Sequence, residues 1–571
     1  MVNASVVRAD ENSRFKSENR NPDHAKIKVV EGVQTPRNQR RPRYVTLSHC
    51  WGAEQTGGSP LDSVRKLTVE TETALKDGVE LSRLPKTFRE AIKFACRLDK
   101  VGYIWIDSLC IMQRCKSSAT DEKVSEKNDW LEQSRIMDKV YARSYLNISA
   151  TASSSSDQGL YRSRSPEFLW EDEINLNFAG KDHIVPGEGS EIGKKLDSLT
   201  RCTVIDVSFW ENLVEQAPVN QRGWVLQERI MSPRVLHFCE NQIAWECKEF
   251  QTAEGYPEDL PTWKMRHSDI VDEGLFKGLG ENDGKRLREI RLKGFPDPDS
   301  GLADLHVFEL WKRVVEVYTR TKLTFQSDKL IALSGIAREF AEKLFSSSKL
   351  EYIAGMWFKH QHLESQLLWR VNPGYRNKNP ENRSLRHPSA PSFSWASLDV
   401  PQGIIYGDTT NYGTGREIEL FFEVKDHHMP LADKENRFGM LVEGECWLRL
   451  KARHLRKIEI QRMHPNEEKS AYSWRLFDVH WGSEFLRVEF DTHEPIASNR
   501  ELYCMPAAYG DRTVKLEDRP LICLLLEEVP DIEPGRKTYR RFGVTTLTSI
   551  WNHRTIAALF KEKVDADIYL R

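Results

Sequence analysis

The chain has 571 residues, and at about 150 residues per domain it should form three or four units. A hydrophobic fraction of 39%, with Trp 16, Tyr 16 and Phe 24, supplies real cores and excludes a mainly disordered chain. Lys+Arg 83 against Asp+Glu 85 leaves a net charge of -2, so no global basic field draws the chain to nucleic acid or to an anionic membrane.

The first 40 residues are polar and read as a flexible arm, with an edge strand at Ile27–Val30. They hold no apolar signal core. Arg40, Arg41 and Arg43 sit just before a strand and read as a solvated connector. Tyr44–Ser48 is β-branched and aromatic and predicts a buried strand that stops at Trp51-Gly52. A Gly/Ser/Pro loop covers 53–60. Leu84-Pro85 opens a helix whose inward face is Leu84, Phe88, Ala91, Ile92, Ala95 and Leu98. Tyr103–Ile106 is apolar on both faces, as a covered parallel strand should be. Asp129 is placed to cap a helix with Trp130, Met137, Val140 and Tyr141 as its inward stripe. Leu146–Ala150 is the next strand. Strand and helix alternate over this stretch, which is the pattern of an α/β unit with a parallel sheet.

Residues 158–219 read as an insertion, Gln221–Met231 as a helix ended by Ser232-Pro233, and Val235–Phe238 with Gln242–Trp245 as a β-hairpin. The full division is an arm at 1–40, an α/β domain at 41–250, a polar linker at 251–302, a helical segment at 303–400 and a β-rich domain at 401–571. The last rests on recurrent strand-like runs at Ile418–Val424, Cys446–Leu450, Ser473–Val479, Leu486–Phe490 and Pro520–Leu526. The most apolar run, Leu521–Leu526, is far below the ~20 residues of a membrane span. Ten scattered cysteines without a CxxC pair read as reduced thiols in the cytosol or nucleus rather than a disulfide framework or zinc finger, and a cytoplasmic location is expected.

Three clusters carry candidate chemistry. Ser48-His49-Cys50-Trp51-Gly52 ends the first strand at the sheet edge where open α/β sheets hold ligands. A Ser48 or Cys50 nucleophile served by His49 is a poor geometry, because adjacent strand residues point to opposite faces. Asp107 follows the second strand and falls on the same edge, as a ligand group or as a turn-capping residue. No spacing demands a metal site from His49, Cys50, Asp107 and Cys110. In the third cluster, Asn220–Arg234, Trp224, Gln227, Glu228 and Met231 share one helix face. Glu228 is thereby held beside an indole, where a carboxylate either pairs with Arg222, Arg229 or Arg234 or has a raised pKa.

These segments resemble the fungal heterokaryon-incompatibility (HET) domain: YVTLSHCWG at 44–52, LPKTFREAI at 84–92, YIWIDSLCIMQ at 103–113, Asp129 to Tyr141, and QRGWVLQERIMSPRVLHF at 221–238. His49 stands where relatives carry an aromatic. The resemblance implies self/non-self recognition leading to regulated cell death, with a homo-oligomer through this domain and an incompatibility partner protein as expected partners. It also implies a TIR-like, Rossmann-like core. In NAD-cleaving TIR domains a Trp precedes a catalytic Glu by four positions, as Trp224 precedes Glu228 here. On that likeness Glu228 and Asp107 are the catalytic candidates. Ser48, Trp51, Gly52, Arg222, Trp224, Gln227 and Arg229 would contact NAD as substrate. No resident cofactor or metal is implied. The alternatives are a non-enzymatic signalling module and an enzyme of another class using Asp107 or Cys110.

Overall fold

The protein is described here from a computed structural model, which places residues 6–9, 25–31, 42–52, 63–113, 120–169, 172–177, 199–204, 206–258, 260, 263–266, 269–272, 276–277, 279–293, 295–297, 303–344, 350–358, 362–372, 385–407, 420–462, 472–478, 486–492, 500–510 and 515–571. The expected loop at 53–60, Cys115, and parts of the runs at 372–391, Ile418–Val424 and Ser473–Val479 lie outside these residues.

The first sheet is built from β1 (Val6–Ala9), β2 (Lys26–Val30), β3 (Arg43–Ser48), β4 (Val79–Glu80), β5 (Val101–Ile106) and β6 (Leu146–Ser149). After a separate hairpin of β7 (Asp172–Asn177) and β8 (Leu199–Val204), it is completed by β9 (Arg234–Phe238), β10 (Ile243–Cys247) and β11 (Gln251–Ala253). The order is β11-β10-β9-β6-β3-β5-β1-β2-β4. Only β9, β6, β3 and β5 run parallel to their neighbours. The strands on either side are antiparallel, so the sheet is mixed, whereas the sequence reads as a parallel sheet. The additions come from local hairpins and from the N-terminal region, whose β1 pairs β5 and whose β2 pairs β1 and β4. Part of that arm is therefore sheet.

The helices of this domain are α1 (Glu72–Asp77), α2 (Lys86–Ala95), α3 (Asp107–Cys110), α4 (Thr120–Ala142) and α5 (Gly223–Met231). The chain passes from β3 one place along the sheet to β5, then back past β3 to β6. Right-handed crossovers in opposite directions put α2 and α4 on opposite faces. The connections reverse between β3 and β6, the switch point at which an open α/β sheet leaves a crevice beyond its strand ends. Phe88, Ala91, Ile92 and Ala95 are the buried face of α2, as their helical spacing requires. Asp129 does not cap α4, which starts nine residues earlier at Thr120; its carboxylate instead accepts from the Met112 amide at 2.8 Å.

The stretch 251–302 is more than a connector. It contains β11, a small hairpin (Trp263–Arg266 with Asp269–Asp272) and α6 (Glu281–Arg291), which packs on α7 (Ala303–Tyr318). Arg288 and Arg291 of α6 pair with Glu309 of α7, which explains why so charged a segment folds. A further short helix, α8 (Ser334–Glu339), lies against α4 and α5. The C-terminal region forms a nine-stranded sheet, antiparallel apart from one pair, Thr538–Leu547 with Ala566–Leu570. Its strands at Arg456–Arg462, Glu501–Tyr509, Thr538–Leu547 and Ala566–Leu570 and the helix Ser549–Phe560 add to the expected runs. Among the described residues no helix is long and apolar enough to cross a membrane.

One helix belongs to two cores. Val225 of α5 packs in the core of the first sheet, and Leu226 and Ile230 pack in the large core under α7, α8 and the C-terminal sheet.

Candidate functional site

Ser48, Asp107 and Glu228 meet at the carboxyl ends of the parallel strands. Ser48 is the last residue of β3, Asp107 opens the one-turn helix that ends β5, and Glu228 projects from α5. Ser48 Oγ donates to Glu228 Oε2 at 2.5 Å. Asn147 Nδ2 of β6 donates to Ser48 Oγ at 2.9 Å, and Thr46 Oγ1 donates to Asn147 Oδ1 at 3.0 Å. Thr46 and Ser48 alternate onto one face of β3, so both reach the same neighbour on β6. The buried Tyr141 of α4 lies beside Glu228 and Ser48, and both groups act on its hydroxyl.

Glu228 is only 2% exposed. Burial, reinforced by the negative charge of Asp107, raises its pKa to about 7, although Arg222, Ser48 and Tyr141 all pull the other way. No ion pair holds it among the described residues. Arg222 donates to the His49 carbonyl, Arg229 is paired with Glu246, and Arg234 donates to the Tyr145 carbonyl. Of the two alternatives open to this carboxylate, the raised pKa applies.

Asp107 is the outward member, with its side chain 14% exposed. It accepts from Trp51 Nε1 at 3.1 Å and from its neighbour's amide, Ser108 N, at 2.7 Å. Trp51 is half-buried, and Lys66 Nζ lies 5.0 Å from the centroid of its ring. Gly52 carries the chain out of the sheet at φ +81°, and a Cβ there would stand 2.7 Å from Ser155 Cβ. Only glycine suits that exit.

The expectation that Trp224, Gln227 and Glu228 act from one face is only partly met. Glu228 reaches Ser48, but Gln227 Oε1 accepts from the Gly335 amide of α8 at 2.7 Å. Trp224 stands edge-on to Trp130 with ring centroids 6.1 Å apart. Arg229 turns away altogether and makes two hydrogen bonds to the buried Glu246, at 2.7 and 2.9 Å. A guanidinium held in that way is not available to a phosphate. The site therefore gathers Ser48, Trp51, Asp107, Arg222 and Glu228, has Gly52 at its exit, and leaves out Trp224, Gln227 and Arg229. Thr46, Tyr141 and Asn147 are additions. The first lies two residues before Ser48 and the last is a lone amide in a strand otherwise apolar or hydroxylic, which is the one signal the sequence carried for them.

A thiol or serine nucleophile finds no support in this geometry. The His49 ring packs edge-on against Phe88 on the α2 side, and burial lowers its pKa to about 4, so it is neutral. Ser48 is bonded to a carboxylate instead of an imidazole, and burial pushes the Cys50 thiol up. Among the described residues no group of three His, Cys, Asp or Glu is placed to hold a metal ion.

An α/β domain with a buried, near-neutral-pKa carboxylate at its switch point is thus the class of molecule defined by fold and site. Residues 44–228 match the family described as heterokaryon incompatibility protein (HET), and the match ends on Glu228 itself. Those residues of the chain form a heterokaryon incompatibility (HET) domain. No curated protein and no solved structure matches it significantly.

Proposed function

We propose that this protein is an effector of heterokaryon incompatibility, which triggers regulated cell death by hydrolysing NAD at the nicotinamide–ribose bond. The observation that carries this reading is Glu228, a buried carboxylate with a pKa near 7 that is aimed at the strand ends of Ser48 and Asp107. The likeness to TIR domains belongs to this proposal.

The chemistry needs few groups. Breaking the bond from ribose C1′ to the pyridinium nitrogen leaves a cationic sugar and neutral nicotinamide, so no general acid is required. The Glu228 carboxylate stabilises the developing charge. Water then adds to C1′, a proton passes to solvent, and ADP-ribose is released. Trp51 offers a flat face, and Arg222 offers a cation for the pyrophosphate. Glu228 is closed off at 2% exposure, so the site must open before substrate reaches it. Assembly of the domain into a homo-oligomer, or contact with an incompatibility partner protein, would supply that opening. In this proposal the C-terminal sheet is assigned the recognition of that partner.

The same closure favours a second reading, a signalling module that assembles without chemistry. Nicotinamide release by the purified chain, lost on Glu228→Gln with folding intact, supports the enzyme. Equal cell killing by wild type and Glu228→Gln supports the module. An enzyme of another class, acting through Cys110, would instead lose activity on selective alkylation of that thiol.

A further inference from the structure

Asn147 lies in the interior of the first domain, on a strand whose four residues are all buried. An amide at 1% exposure there must have its hydrogen bonds satisfied locally, and it finds them on the adjacent β3. Its Oδ1 takes the hydrogen of Thr46 Oγ1, and its Nδ2 donates to Ser48 Oγ. That second bond takes one of the two acceptor lone pairs of the serine oxygen. The serine hydrogen then has two destinations, Asn147 Oδ1 at 3.3 Å and Glu228 Oε2 at 2.5 Å. The first already receives Thr46, and the second is closer and charged when ionised, so the hydrogen goes to Glu228.

We propose that Thr46 and Asn147 are positioning residues that orient Ser48 as a hydrogen-bond donor to Glu228, and so favour the ionised form of that carboxylate. Without the amide, the hydroxyl is freer to rotate and to accept a hydrogen bond from a neutral Glu228. The other groups facing Glu228 are Asp107 after β5, Cys50 after β3, Arg222 at the head of α5 and Tyr141 from α4. Asp107 opposes ionisation, and Arg222 and Tyr141 favour it together with Ser48. The relay acts only through Ser48, so the other contributions stay in place when it is cut. Its catalytic value rests on the proposed glycosidic chemistry, but its effect on the carboxyl proton does not.

The test is infrared spectroscopy of the full chain. The carbonyl stretch of protonated Glu228 is identified as the band missing from Glu228→Gln, and it is titrated from about pH 5 to about pH 9. Asn147→Leu should move the midpoint up by about one pH unit or more, a tenfold weaker acid. Thr46→Val, nearly isosteric and so the safer variant for folding, should move it up by less, and Thr46→Ser should restore it. Unmoved midpoints in folded Asn147→Leu and Thr46→Val overturn the proposal and leave the amide a mere filler of hydrogen-bonding needs. A shifted midpoint in a chain that never releases nicotinamide would keep the relay and discard the hydrolase. Release that depends on Glu228, with an immobile midpoint, would do the reverse.

Discussion

Ser48 donates a 2.5 Å hydrogen bond to Glu228 across 180 residues of chain, joining the end of the first parallel strand to α5. The bond favours the charged form of a carboxylate that burial and Asp107 push towards neutrality.

Ser48→Ala should therefore raise the Glu228 pKa further. A hydrogen bond to a charged group is worth ~1.5–3 kcal/mol, or roughly one to two pH units. If nicotinamide release needs the carboxylate, its rate should rise with pH through about 7 in wild type. The variant's profile should be displaced to more alkaline pH, with its plateau less affected than the rate at neutrality. A pH series of nicotinamide release measures this, and an unmoved profile would detach Ser48 from the carboxylate's ionisation.

The raised pKa also makes a stability prediction. Glu228 binds its proton more tightly in the folded chain, with a pKa of about 7 against 4.5, so its contribution is fully present below pH 4.5 and is lost as pH rises to about 7. The loss is about 3 kcal/mol. His49 and His237, both lowered to about 4 by burial, act in the opposite sense and gain stability as pH rises from 4 to 6.5. Only the difference between wild type and Glu228→Gln isolates the carboxyl. In urea titrations the variant should gain on wild type between pH 4.5 and 7, by up to that amount.

Arg229 is bonded to Glu246, which also accepts from Gln251 and lies within 3.3 Å of His237 Nε2. Burial pushes the Glu246 carboxyl up, but the positive charges of Arg229 and Lys277, with hydrogen bonds from His237 and Arg229, hold it well below the usual range. Glu246→Leu would leave Arg229 buried beside Lys277 without its counter-charge, and should cost ~3–5 kcal/mol. Adding Arg229→Met should recover much of that loss. Denaturant unfolding of the single and double variants measures it, and additive losses would contradict the pairing.

Gly335 lets α8 approach α4 and α5. A Cβ there would stand 2.4 Å from Asp138 Cβ and 2.6 Å from Gln227 Oε1. Gly335→Val should therefore push α5 away from α8 and cost ~1–3 kcal/mol. Hydrogen exchange should speed up in α5 and leave the C-terminal sheet at its wild-type rate. Unchanged exchange in α5 would show that the neighbours yield without moving the helix.

Much of this arrangement was legible in the chain itself. A β-branched and aromatic run marked β3, a wholly apolar run marked β5 and the run Leu146–Ala150 marked β6, and the spacing of Phe88, Ala91, Ile92 and Ala95 oriented α2. Polar residues directly after apolar strands put Ser48 and Asp107 at one sheet edge, and the helical pattern of 223–231 put Glu228 on an element free to reach it. These are local properties, because strand direction, helix period and chain breaks are set by nearest neighbours along the backbone. The partner of each side chain is not local. Whether Arg229 met a phosphate or Glu246, whether Glu228 found an arginine or a serine, and whether Asn147 was filler or relay depended on which strands lie side by side and which helix covers them. Those choices follow from the order β9-β6-β3-β5 and from the burial of α5 between two cores. They are decided only when elements more than a hundred residues apart compete for the same water-free space.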